Sequence, residues 1–367
     1  MFSRREFALS GLAALGGFMS LPSCSNELGR ESYDAAVRQT WRHGHVGNSD
    51  RAAMLKELVR YATLAASSHN TQCWRFLLDD STIRIMPDFA RRCPAVDPDD
   101  HHLFVSLGCA TENLFHAALA NGLSGNAVFD HDNDSLQISL ERTQGVESAL
   151  FQAIPQRQCT RLEYDGKPLS NAELWLLEKA GTRQNVRMII LDERTAMEQI
   201  LEYVVEGNTL QMNDPAFVAE LKSWIRFSAS DAIRTGDGLY SASSGNPSVP
   251  AWLGRALFGF FFTPRSENDK YAKHVRSSAG IAVFVSESES RAQWIEVGRS
   301  YERFALQATA LGIRTALLNQ PVEVRKLRPQ FASFLGMHNG RPDLVVRFGR
   351  GPISPRSLRR PVTDVLV

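Results

Sequence analysis

The chain has 367 residues, 43% of them hydrophobic and 22% charged, which is enough apolar material for a large core in one domain or two. Its 41 basic and 40 acidic side chains leave a net charge of +1, so no global positive field draws it to nucleic acid and no basic tract marks a polybasic membrane patch. Zinc-finger, helix-turn-helix and RNP signatures are absent from the sequence.

At the N-terminus, Ser3-Arg4-Arg5-Glu6-Phe7-Ala8-Leu9 leads into an apolar run from Ala8 to about Leu21. The run is too short and too Gly-rich to span a bilayer. The arginine pair resembles a twin-arginine export signal, which makes residues 1–32 a signal and linker and places the mature protein outside the cytoplasm, periplasmic or membrane-anchored. Leu21-Pro22-Ser23-Cys24 resembles a lipobox, although Pro22 is unusual inside one; a lipid on Cys24 would tie the protein to a membrane face. That export route carries folded proteins, commonly already loaded, so a tightly held cofactor is expected. The five cysteines, Cys24, Cys73, Cys93, Cys109 and Cys159, form no CxxC pair and no regular spacing. They suggest neither a disulfide framework nor a zinc cluster, and leave a single bridge open.

Asp50 can cap a helix with Leu55, Leu58, Val59 and Ala62 on one face. The polar stretch Ala66–Gln72 follows as a loop, and then Trp74–Leu78 and Thr82–Met86 read as strands around Asp79-Asp80-Ser81. A helix from about Leu103 to Asn121 stops at Gly122, and short strands are expected at Val128–Phe129 and Leu136–Leu140. Further on, Asn171–Ala180 reads as helix, Val186–Leu191 as strand and Ala196–Val205 as helix. A Ser/Gly/Pro-rich stretch from Gly236 to Pro250 opens a predicted lid over about 236–270. Ile281–Ser286 is an apolar strand, Ile295–Leu311 a long helix closed by Gly312, and Leu344–Phe348 a last strand.

The two long helices repeat one another. Gly108, Glu112, Ala118, Gly122 and Leu123 align with Gly298, Glu302, Ala308, Gly312 and Ile313, all 190 residues apart. The pattern predicts an internal duplication, with one α+β unit over 33–150 and its copy over 151–367.

Three motifs then carry a family resemblance. Ala66–Phe76, "ASSHNTQCWRF", looks like the APSSxNxQPW motif of the nitroreductase superfamily. Pro155–Arg161, "PQRQCTR", resembles its R-x-[ST]-x-R flavin-phosphate motif, and Leu358–Leu366, "LRRPVTDVL", its basic-then-proline C-terminus. Their order is similar to that of the fused, Acg-type branch. The resemblance implies an α+β nitroreductase-like fold in which two fused copies form a pseudo-dimer around mixed or antiparallel sheets, a monomer in place of the usual homodimer. It implies FMN as cofactor, with Arg157 and Arg161 at the phosphate and the backbone of Gln158 and Cys159 beside them. Ser67, Ser68 and Asn70 would approach from the other half, Asn319 and Gln320 would lie near the reactive ring nitrogen, and Arg359, or its neighbour Arg360, would supply a C-terminal phosphate contact. Two departures stand out: Ala66 and Cys73 replace prolines, and Cys159 replaces a hydroxyl residue, a better hydrogen-bond donor than a thiol.

His69 reads as structural and Trp74 as core. His43-x-His45, His101-His102 and the "DHDND" run at Asp130–Asp134 read as polar surface turns, so no metal is expected. The function implied is hydride or electron transfer through flavin to a small organic acceptor, from NAD(P)H or another reductant. The alternative is a protein that binds or sequesters FMN without turnover.

Overall fold

The computed structural model describes residues 23–44, 50–337 and 339–367; the arginine pair, the apolar run and His45 lie outside them. The first half carries α1 (Ser23–Thr40), α2 (Arg51–Thr63), β1 (Trp74–Leu78), β2 (Thr82–Pro87), α3 (His101–Ala120), β3 (Leu123–Asp130) and β4 (Ser135–Arg142). After α4 (Ala149–Ala153) come α5 (Asn171–Gly181), β5 (Val186–Leu191), α6 (Arg194–Met212), α7 (Pro215–Trp224), β6 (Ile225–Arg226), α8 (Ala229–Thr235), β7 (Leu239–Tyr240), α9 (Ala251–Phe261) and α10 (Pro264–Arg276). The chain ends with β8 (Gly280–Ser286), α11 (Arg291–Ala310), β9 (Arg314–Leu317), α12 (Gln320–Glu323), α13 (Arg328–Phe334) and β10 (Arg341–Gly349).

Two four-stranded antiparallel sheets show the duplication. Their orders are β1-β2-β4-β3 and β5-β8-β10-β9, so each half lays its four strands side by side as first, second, fourth, third. In both halves the long helix connects the second strand to the third. These helices, α3 and α11, cross at the centre through their glycines. A methyl group on Gly108 would collide with the Ile295 carbonyl, and one on Gly298 with the Val105 carbonyl. Ile295 is itself the repeat mate of Val105, so the contact is reciprocal, as at a two-fold dimer interface, but within one chain. By length and hydropathy α3 could cross a membrane, yet 83% of its apolar window is buried inside the protein, as befits a core helix.

The halves differ between their first two strands. The first half turns at Asp79-Asp80-Ser81, whereas the second inserts residues 192–279. Part of this insertion covers the second sheet, where Met197, Ile200, Leu201 and Val204 of α6 share a core with Ile281, Val283 and Val345. With both faces covered, β8 and β10 are buried throughout; β8 reads as an apolar run, while β10 also buries Arg341, Asp343 and Arg347, and β1 alternates buried and exposed residues. The stretch expected to be a lid over 236–270 is largely helical. Pro264 stands at the start of α10 behind a capping box formed by Thr263 and Ser266. A serine in place of the usual Glu or Gln hides that box from a sequence reading.

Candidate functional site

A cleft lies where the halves meet. It comprises a cavity of about 230 Å³ and a smaller one of about 70 Å³ that share Ala66, Ser67, Arg161, Leu239, Tyr301 and Leu317 on their walls. Small-molecule sites usually begin near roughly 300 Å³, so the two serve as one site only if joined. Every sequence-derived site residue except Arg360 lines this cleft.

The polar loop after α2 is built under strain. His69, Asn70 and Gln72 hold φ of 47°, 53° and 54°, each costing on the order of 1 kcal/mol or more for a residue with a Cβ. The neighbouring chain over-determines these conformations. Ser67 Oγ accepts from the Gln72 backbone N–H at 3.1 Å. The Asn70 amide donates to the Gly238 and Leu358 carbonyls at 2.9 and 3.2 Å, and its oxygen accepts from Arg359 at 2.9 Å. Gln72 donates to the Gly236 carbonyl and accepts from the Arg360 backbone N–H, both at 2.9 Å. The dense hydrogen-bonding set therefore fixes the loop first. Asn70 has both amide hydrogens engaged by protein, while the Arg360 guanidinium turns away to the Asp364 carbonyl at 2.6 Å.

Arginines also finish α2. Arg359 donates to the Thr63, Leu64 and Ala65 carbonyls at 2.7–3.2 Å, placing positive charge at the helix C-terminus. Arg157 donates to Leu64 at 2.9 Å, and its Nε lies 2.9 Å from Glu302 Oε1, with both side chains buried. The other Glu302 oxygen accepts from the Ala66 backbone at 3.3 Å. Arg157, expected at a phosphate, thus belongs to a buried pair beneath the loop. Gln158 Oε1 accepts from Ser354 at 2.8 and 2.9 Å, and half-buried Cys159 bridges in parallel to Thr315 on β9. Arg161 reaches both cavities and, among the described residues, has no hydrogen-bond or ion-pair partner for its guanidinium.

Four polar atoms of residues lining the larger cavity are buried without hydrogen-bond partners: His69 Nδ1, His102 Nδ1, Tyr301 Oη and Gln320 Oε1. Burial and the Arg161 charge pull His69 down to about 4, so it is neutral near pH 7. Unpaired buried atoms cost about 1–3 kcal/mol each unless a ligand meets them, so this donor and acceptor set, with one uncommitted cation, suits a polar ligand carrying an anionic end. Asn319 Oδ1 accepts from the Val345 backbone at 3.0 Å, and its amide lies 3.3 Å from His102 Nε2. Tyr301, on the repeated helix, escaped the sequence reading, since a tyrosine within a long helix carries no motif.

His101 and His102 are also not the surface turn that was expected. They form the buried first turn of α3, with His101 Nε2 2.8 Å from Asp343. Together with Asp97 they group three possible ligand atoms within 4.8 Å, but Arg341 stands 3.7 Å from Asp343 and sets positive charge against a cation there. The insertion roofs the larger cavity with Asn208, Gln211, Phe217, Leu221, Phe262 and Lys270. Glu323 faces the same space, where burial pushes its carboxyl up to about 7 despite a 2.7 Å hydrogen bond from Gln211. Cys73, Cys93, Cys109 and Cys159 are all free thiols.

No protein-family model matches the chain. Among curated proteins it is similar to two from Mycobacterium tuberculosis H37Rv that carry provisional names. The first, NAD(P)H nitroreductase Rv3131, is 24% identical over 86% of this chain and 91% of its own. The second, NAD(P)H nitroreductase acg, is 25% identical over 85% and 95%. Among solved structures, a nitroreductase with bound FMN from Desulfitobacterium hafniense aligns 60% of this chain with 98% of its own, at 13% identity and a TM-score of 0.38. The resemblance read in the motifs is thereby borne out: along most of its length, the chain is a relative of the Acg-type proteins named as nitroreductases.

Proposed function

We propose that the cleft binds one FMN and that the protein is an FMN-dependent oxidoreductase acting on a small organic acceptor. The observation that carries this is the unpartnered Arg161 guanidinium on a wall that also presents four unpaired buried polar atoms. The names of the relatives support the reaction class, and the likeness to the R-x-[ST]-x-R motif supports the phosphate end. Arg161 would hold the phosphate, since a guanidinium fork matches its oxygens. Ser67 and Ser68 would line the path from the first half, and Tyr301, His69 and Gln320 Oε1 would meet polar atoms of the ligand. When bound, FMN supplies the hydride acceptor and donor, while the protein orients it and keeps water away. The reductant is NAD(P)H, as in the names of the relatives.

The test is purification of the full chain. A yellow protein with flavin absorbance that NADPH bleaches, and that a quinone or nitroaromatic restores, fits the proposal; a colourless protein that takes up no added FMN sinks it. The covered cavity favours one further reading, in which FMN is bound but shielded. Bound flavin that NADPH does not reduce, and that a quinone or nitroaromatic does not reoxidise after dithionite reduction, would select it.

A further inference from the structure

The insertion carries a second feature that the cleft does not use. Helix α9, "AWLGRALFGFF", turns Gly254 and Phe258 inward, where Gly254 packs against Phe227 and Phe258 stacks on Phe262 at 4.5 Å. The opposite face is apolar as well. Trp252 is 72% exposed, Phe260 79% and Phe261 67%, and Trp252, Ala256, Gly259 and Phe260 follow helical spacing along one outer stripe with Arg255 among them. Trp252 and Phe260 on this stripe, with exposed Phe261 at the helix end, are not scattered surface residues and mark an interaction face. From Gly238 to Ser266 the chain contains no acidic residue, and its charged side chains there, Arg255 and Arg265, are both exposed.

We propose that the outer face of α9 is a membrane-docking surface, with its aromatics seated in the headgroup boundary of an anionic bilayer and its arginines on lipid phosphates. Tryptophan and phenylalanine on one face, with basic residues beside them, are the composition of a helix that lies in the interface rather than spanning it. Eleven residues are too few to span. A second copy of the chain fits less well, because a two-fold contact here would bring Arg255 against its own image with no acid in the stretch to neutralise it. The N-terminus points the same way. The apolar run Ala8–Leu21 is followed directly by α1, which packs on this same insertion through Tyr33 against Ala232 and Tyr240. Any anchor ahead of α1 is therefore tethered to the element that displays α9. Phe262, next after α9, lines the large cavity, so the docked face adjoins the site.

The experiment uses the full chain, the variant Trp252→Ser with Phe260→Ser and Phe261→Ser, and Arg255→Glu. Each is mixed with vesicles of phosphatidylcholine alone or with phosphatidylglycerol, and hydrogen exchange is followed at 251–262. The altered side chains are solvent-exposed, so unchanged melting midpoints verify that the variants fold. The expected result is slower exchange of this segment in the parent on adding anionic vesicles, no slowing in the triple variant, and vesicle affinity lowered about tenfold or more. Arg255→Glu should weaken the preference for anionic lipid by roughly fivefold or more. Because the readout is local, binding by the N-terminal segment alone does not mimic it. Exchange at 251–262 that ignores vesicles overturns the proposal, as does slowing that depends on protein concentration without lipid, which would make a second copy the occupant.

Discussion

Arg157 and Arg161 stand four residues apart, yet only Arg161 faces the cleft without a protein partner among the described residues. Arg161→Ala should weaken FMN binding by about tenfold to a hundredfold, the worth of one charge-assisted hydrogen bond or two, and leave riboflavin binding and the melting midpoint unchanged. Arg157→Ala should instead lower stability by about 3–5 kcal/mol, because it strands Glu302 in the core. Titration of both ligands with parallel melting curves checks the pair, and the reverse pattern would move the phosphate to Arg157. Glu323 gives a pH signature. Its carboxyl rises from 4.5 to about 7 through burial, so the neutral form is the one the fold favours. That contribution is complete below 4.5 and is lost as pH climbs through about 7. Glu323→Gln should remove a decline on the order of 2–3 kcal/mol across this window, read as a flatter plot of melting midpoint against pH.

The α3–α11 crossing depends on two absent methyl groups. Gly108→Ala or Gly298→Ala pushes a Cβ into the facing helix's backbone carbonyl, which no rotamer change can relieve. Each should cost about 1–3 kcal/mol or more, measured by denaturant midpoint, with similar losses at both sites because the contact is reciprocal. These helices were legible beforehand: their 190-residue offset, terminating glycines and apolar density showed a duplication, and β5 fell where its periodicity placed it. The hairpin at Asp79–Ser81 was also plain from its turn residues. Beyond α6, the insertion was not. Helix α9 begins without a side-chain cap and carries glycines and aromatics that blur a 3.6-residue period, and α10 starts behind a serine capping box. In the cleft, the motif positions line a common space, but the contacts their side chains make were not legible. Whether Arg157 meets a phosphate or a glutamate depends on Glu302, 145 residues later, which sequence spacing does not reveal.

On the scale of the whole molecule, the pseudo-two-fold should generate a second cleft, and the structure places a different cluster there. Glu112, the repeat mate of Glu302, is met by Arg299, Arg303 and His116 at 3.0–3.3 Å and by Arg183 at 3.9 Å. Burial alone would raise its carboxyl, but the His116 imidazole 3.3 Å away and the Arg299 charge hold it down to about 2. Where the first half has the ten-residue loop 64–73, the second passes from α5 to β5 through 182–185 alone. Purified protein should accordingly carry one FMN per chain, and a chain saturating at two flavins by absorbance would contradict this. Export belongs to the same scale. Arg4→Lys with Arg5→Lys should leave folded protein in the cytoplasm, and Cys24→Ser should remove any lipid detected by mass spectrometry. Unchanged fractionation and mass would discard the signal and lipobox readings respectively.

The reciprocal crossing also has a genetic side. In a homodimer each codon is read into both sites, so a substitution that improves one cleft is imposed on the other. Here the mates Glu112 and Glu302 are separate codons, each free to acquire its own neighbours. The glycine pair is where that freedom ends: Gly108 and Gly298 answer each other across the crossing, and a change at either is felt by both halves. Mutational tolerance should therefore be asymmetric around the two glutamates and symmetric around the two glycines.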